Sequence, residues 1–159
     1  HVIQYRRGLL PEPEREFYIS GDAFVKDWII KVRNDVPDAP VLVTAGGLLH
    51  YFEENKVISL LRMIGQSGNM EVVFDTVNKK GMAMMQKKYM KQVGHADAQM
   101  FFYVDAAKEL AAKIRGNVKV IAEEPYYRYI PKNGLKLSTK VSMAVSDQFK
   151  MVKMIHLKL

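Results

Sequence analysis

Residues 39–54 read Ala39-Pro40-Val41-Leu42-Val43-Thr44-Ala45-Gly46-Gly47-Leu48-Leu49-His50-Tyr51-Phe52-Glu53-Glu54. Val41, Leu42 and Val43 form a short apolar run between Pro40 and the Gly46-Gly47 pair, the pattern of a strand buried on both faces of a parallel sheet. The glycines let the backbone turn sharply and let a ligand approach closely. A helix is expected from about Glu53, where Val57, Leu60, Leu61 and Ile64 recur at helical spacing. Strand, Gly-Gly turn and helix make half of a βαβ unit, and ligands of open α/β sheets sit at the carboxyl ends of such strands. Ala45 to Tyr51 therefore reads as the floor of a binding site or, more plainly, as a tight turn that only reverses the chain.

Working outward, Val2–Leu10 reads as a short helix halted by Pro11, followed by a proline connector. Phe17-Tyr18-Ile19 predicts a short strand. Asp22 is placed to cap a helix carrying Phe24, Val25, Trp28, Ile29 and Val32. Beyond the central stretch, Met70–Asp75 is a second apolar strand ending in an acid, and the strand-to-helix passages in series predict a parallel α/β sheet. Gly81–Val93 has a helical pattern rich in methionine, which suits irregular pockets as well as ordinary core. Gly94-His95-Ala96-Asp97 should break it. Met100–Val104 is apolar, and a helix follows with Ala107, Leu110, Ala111 and Ile114. Val118–Ala122 predicts a strand, Glu123 to Pro131 an aromatic segment between prolines, Leu137–Phe149 a helix, and Val152–Leu159 a closing strand. With short loops and no repeat, a single domain over residues 1–159 is expected.

The 159 residues suffice for one core. No apolar run spans a membrane, and no leader pattern opens the chain. Since no initiator Met is present, the chain is expected to be cut from something longer. It has no cysteine, which excludes disulfides and thiolate chemistry and fits a reducing, cytoplasmic setting. The net charge of +7 is carried by scattered lysines rather than a dense basic block, so nucleic acid is not favoured. The four histidines lack metal-ligand spacing, and neither a P-loop nor a GxGxxG turn is present. What remains is a series of strand ends carrying small or acidic residues: Gly21-Asp22, Ala45-Gly46-Gly47 and Asp75.

VLVTAGGLLHYFEENKVISLL followed by MEVVFDT resembles the S-adenosylmethionine-dependent O-methyltransferases of the leucine carboxyl methyltransferase and polyketide-biosynthesis family. There a strand ends in a small or acidic residue plus glycine, followed by apolar residues, a Met or His position, Tyr and an acidic helix start, as in Gly47-Leu48-Leu49-His50-Tyr51-Phe52-Glu53-Glu54. VIQYRRGLLPE is similar to the segment after the family's second strand, and YISGDAFVKDWI to its third strand. GMAMMQKKYMKQVGHADAQMFFYV resembles the helical insertion of the polyketide-type members, here at about residues 79–115.

The resemblance implies a Rossmann-like methyltransferase sheet with helices on both faces and S-adenosylmethionine as cofactor. It implies cofactor contacts at Asp22, Ala23, Ala45, Gly46 and Gly47. His50 is nominated as general base, against its reading as a histidine packed at a helix start. Tyr51 is placed to orient cofactor or substrate. Met85, Tyr89, Tyr126 and Tyr127 are the candidate acceptor pocket, for a small polyketide-like hydroxyl or carboxylate, with no metal and no membrane involved. The chain departs from the family in two ways. Many relatives carry Glu where Gly46 stands, and the family's first strand, glycine-rich turn and second-strand acid would all lie upstream of His1. The chain thus resembles the C-terminal portion of a methyltransferase, expected to be inactive alone and to pair with its N-terminal part or a second copy. Two rivals stand beside this reading: a non-catalytic α/β module with a basic surface for an acidic partner, and a protein carboxyl methyltransferase.

Overall fold

The structure, a computed structural model, describes residues 2–11, 13–89 and 99–159, those at 88 and 89 by backbone alone. The residues fall into two compact units, one up to Pro37 and one of Asp38–Leu159.

The first unit holds α1 (Val2–Leu9) and α2 (Asp27–Asp35). The Tyr18 hydroxyl accepts a hydrogen bond from Arg6 Nε at 2.9 Å, and the Arg6 and Arg7 guanidinium groups lie over the Tyr18 ring. Two expectations are corrected here. Phe17-Tyr18-Ile19 is not a strand, and α2 starts at Asp27 rather than beside Asp22. Asp22 Oδ1 instead accepts from the Phe24 amide at 2.9 Å, closing a local turn of the kind aspartate favours. Trp28 Nε1 donates to the Ala23 carbonyl (2.9 Å), and Ile29 is fully buried.

The second unit is a mixed α/β fold built on an open four-stranded sheet of order β1-β2-β4-β3: β1 Val41–Ala45, β2 Met70–Val77, β3 Lys119–Pro125 and β4 Val152–Lys158. Around it lie α3 (Glu54–Gly65), α4 (Lys79–Met84), α5 (Ala107–Ile114) and α6 (Leu137–Gln148). With α1 and α2 this makes six α-helices among the described residues. Only β1 and β2 run parallel, from Val41 opposite Met70 to Ala45 opposite Phe74. β4 is antiparallel to both β2 and β3, so the all-parallel expectation fails at the last strand. Its approach from α6 at the sheet's carboxyl edge leaves it no direction but back down the sheet.

The core fills one face of this sheet. Met70, Val72 and Phe74 alternate along β2, and Ile155 and Leu157 along β4, as period-two strands require. Val57, Leu60, Leu61 and Ile64 of α3 and Ala107, Leu110 and Ile114 of α5 are buried as well. Arg62 joins the two helices, donating from Nε to the Ile114 carbonyl (2.8 Å) and from Nη2 to that of Lys113 (2.6 Å). Those carbonyls lie at a helix carboxyl terminus, where a cation is favoured.

The strand at the head of the central stretch is less enclosed than its composition suggests. Leu42 is 56% exposed and Thr44 is also exposed. β1 is an edge strand: it pairs with β2 on one side, and among the described residues nothing pairs with it on the other. As far as it is described, the methionine-rich segment is helical, α4 passing into a π-helical turn at Met85–Tyr89. Met90, Lys91, Val93, the Gly94–Asp97 break and the side chain of Tyr89 lie outside the described residues.

α4 itself lies close against the link between α6 and β4. Asn78 caps it by accepting from the Gly81 amide at 2.7 Å. A Cβ at Gly81 would overlap the Met151 carbonyl oxygen, a backbone atom that cannot swing aside. Gly81→Ala is therefore expected to lower stability by about 1–3 kcal/mol, although alanine is the better helix former. A urea titration reads this, and an unchanged midpoint would mean that α4 shifts freely.

Candidate active site

The topology brings four chain segments to one edge of the sheet. β1 and β2 end there, β4 begins there (Val77 opposite Val152) and β3 ends there (Pro125 opposite Lys153). The Gly46-Gly47 turn and Tyr126-Tyr127 therefore leave the sheet at the same edge. This is where α/β sheets bind ligands.

Gly47 adopts φ +64°, a left-handed conformation costing about 1 kcal/mol or more for residues with a Cβ. Its amide donates to Asp75 Oδ1 at 2.6 Å. The acid near the end of β2 thus hooks the turn that follows β1 and fixes its shape. A Cβ at Gly46 or Gly47 would meet nothing within 4 Å, so the turn faces open space.

The chain then winds through a 3₁₀ turn, Leu49–Tyr51, before α3 starts. Leu49 and His50 are buried, while Tyr51 is 41% exposed with its ring 4.7 Å from that of His50. The His50 carbonyl accepts from the amides of Phe101 (2.8 Å) and Phe102 (3.3 Å). The Val104 amide donates to the Val77 carbonyl, so the apolar segment 100–104 runs beside the carboxyl edge. This clamp was not legible in the sequence, because its partners stand some fifty residues apart with no local pattern linking them.

The His50 ring is the unusual group. Its Nδ1 is enclosed and has no hydrogen-bond partner among the described residues. Burial pushes its pKa below the ordinary 6.5, while the negative charge of Asp75 works in the opposite direction and is outweighed. The imidazole is thus neutral at physiological pH, with a polar atom left unsatisfied in the interior. Such atoms are costly and uncommon.

Of the residues nominated from sequence, Ala45, Gly46, Gly47, His50 and Tyr51 form one continuous turn, with Asp75 as its brace. Tyr126 and Tyr127 lie edge to face, ring centres 5.2 Å apart, and the Tyr127 amide donates to Asp147 of α6. Met85 is half-buried in the π-helical turn. Asp22 and Ala23 belong to the first unit, where both are engaged in the local contacts given above. Among the described residues no group of three or more His, Asp or Glu is placed to hold a metal ion.

No protein-family model matches the chain. Over 128 residues it is 32% identical to the S-adenosyl-L-methionine-dependent methyltransferase dpfgK of Gibberella zeae. That alignment covers 72% of this chain and 41% of the relative, so the chain spans less than half the relative's length. Two crystal structures share its fold: a DUF574 family protein from Streptomyces avermitilis, at 12% identity, and a candidate methyltransferase from Thermobifida fusca, at 13%. Each gives a TM-score of 0.63 over 99% of this chain, covering 61% and 59% of the respective structures. The chain is thus similar over most of its length to a methyltransferase and has the fold of these solved proteins.

Proposed function

We propose that the protein is an S-adenosylmethionine-dependent O-methyltransferase acting on a small molecule, a polyketide-like hydroxyl or carboxylate. The observation that carries this reading is the Gly46-Gly47 turn, open to solvent at the carboxyl end of β1 and braced by Asp75, next to a buried, neutral His50. The similarity to a named methyltransferase supports it.

Ala45, Gly46 and Gly47 fit a cofactor cradle, since the backbone there is exposed and free of side-chain bulk. Asp22 and Ala23 are proposed for the adenine side. When bound, S-adenosylmethionine would supply an electrophilic methyl group carried on a sulfonium. The chain's own task is to hold the acceptor oxygen in line, which can account for much of such a rate enhancement. His50 accepts the proton of a hydroxyl acceptor on its neutral imidazole, and Tyr51 orients the acceptor beside it. A carboxylate acceptor, already ionised, needs no base. Met85, Tyr89, Tyr126 and Tyr127 are proposed as the acceptor's apolar walls, with residues 79–115 as the insertion that covers them.

The open edge of β1 bears on whether this chain acts alone. Leu42 is an exposed apolar residue on a strand whose outer edge has no partner among the described residues, a position that further strands would cover. We therefore read the chain as part of a larger sheet that completes the cofactor site. Calorimetric titration with S-adenosylmethionine tests this on the chain and on a version extended upstream by further sheet strands. The extended version is expected to bind at least about 100-fold more tightly, since a lost half-site costs several kcal/mol. Binding by neither version overturns the enzyme reading and favours the interaction module.

A further inference from the structure

α6 presents an unusual outer surface. Its buried residues are Met143 and Ser146. On the opposite side stand Leu137 (78% exposed), Val141 (54%), Val145 (46%) and, just past the last turn, Phe149 (62%). They recur every fourth residue and so form one stripe. Ser138 and Gln148 lie between them, Ser142 and Ala144 flank them, and no charged side chain interrupts that side. An exposed helix normally shows the reverse pattern, polar outward and apolar inward.

The charges lie beside the stripe and have one sign. From Tyr126 to Ser146 the chain has no acidic residue, whereas Lys132, Lys136 and Lys140 fall within that span and Lys150 follows it. Asp147 lies toward the buried side and is engaged by the Tyr127 amide. Arg128 is paired with Glu124. Tyr129, 76% exposed, stands in the loop that leads to the helix.

We propose that this surface of α6 docks on an anionic lipid bilayer. The stripe would enter the boundary between headgroups and acyl chains while the lysines remain among the acidic headgroups. Charge complementarity selects this occupant. A second copy docking through the same stripe would bring its lysines against these by two-fold symmetry. A partner protein's helix is seated in a groove, whereas one exposed helix offers a ridge. No helix among the described residues is long and apolar enough to cross a membrane, and lying on a bilayer does not need one. The inference is independent of the methyl-transfer reading.

Flotation of the chain with phosphatidylcholine vesicles, with and without phosphatidylserine, tests it. Binding to the anionic vesicles is expected to be at least about tenfold tighter than to the neutral ones, and weaker at high salt. Val141→Ser with Val145→Ser should abolish it with circular dichroism unchanged, because both side chains already face solvent. Lys132→Gln with Lys136→Gln should remove only the preference for phosphatidylserine. Several results would overturn the proposal. These are no flotation with anionic vesicles, equal flotation with neutral ones, or flotation unaffected by the serine substitutions. Sedimentation velocity adds one more: a dimer that the serine substitutions dissolve, without vesicle binding, would assign the stripe to a second copy.

Discussion

Lys153→Met is expected to destabilise the protein by about 3–5 kcal/mol, the range found when one partner of a buried ion pair is removed. Lys153 is 1% exposed, on the face of β4 that also carries Ile155 and Leu157. Its Nζ donates to Glu123 Oε1 and to the Asp105 carbonyl, both at 2.7 Å. Glu123 Oε2 in turn accepts from the Ala107 amide at 3.1 Å, at the start of α5. One lysine thus ties β4, β3 and the segment entering α5. Its loss would leave a partly buried carboxylate and a backbone carbonyl without their donor. The double substitution Lys153→Met with Glu123→Leu should recover most of the loss, because an apolar pair of similar volume needs no desolvated charge. Urea unfolding of the two single variants and the double variant reads both quantities. A single-variant change under about 1 kcal/mol would mean that water reaches Glu123 and replaces the lysine.

The same pair sets an acid limit on stability. Burial alone would raise the Glu123 carboxyl, but the Lys153 hydrogen bond, the Ala107 amide and the charges of Lys153 and Lys150 together hold it below the ordinary 4.5. A depressed carboxylate contributes stability that is complete above the unfolded value and is lost as pH falls through the folded one. Unfolding midpoints should therefore decline below about pH 4.5 in the parent protein. In Lys153→Met that part of the decline should be absent.

How much of this was legible in the residues depends on the range of the interactions. β2, α3, α5 and β4 follow the hydrophobic pattern closely, because period and length are local properties. The exposure of β1 was not legible: an apolar run looks alike whether one or two strands flank it, and only the strand order reveals an edge. Phe17-Tyr18-Ile19 carries strand-forming residues with no strand among the described residues to pair with, and isolated propensity does not make a sheet. Asp22 was recognised as a capping residue, but its carboxylate closes a turn ahead of the helix. At the candidate site the Gly46-Gly47 turn and His50 could be picked out from sequence. Asp75 could be picked out only as a strand-end acid, and neither its hook on Gly47 nor the hold of the Phe101 and Phe102 amides on the His50 carbonyl could be. Those are contacts between distant positions, and they give the turn its shape.

His50→Gln carries the second large effect. If His50 takes the proton of a hydroxyl acceptor, turnover should fall by about 10²–10⁴-fold, the range for a positioned general base. The assay follows S-adenosylhomocysteine release with a panel of phenolic and carboxylate acceptors, on a form of the protein that binds the cofactor. Carboxylate acceptors should lose little, because no proton has to leave. The parent's rate on a phenol should rise with pH through a value below 6.5 and then level off, since burial depresses the imidazole and only its neutral form accepts a proton. In the variant that rise should disappear. Folding gives a separate readout. Below pH 6.5 the unfolded chain takes up a proton that folded His50 resists, so stability should drop with falling pH in the parent and less so in His50→Gln. A variant that keeps full activity on phenols but loses this stability dependence would reduce His50 to a packed residue. The methyl-transfer reading would then rest on the glycine turn alone.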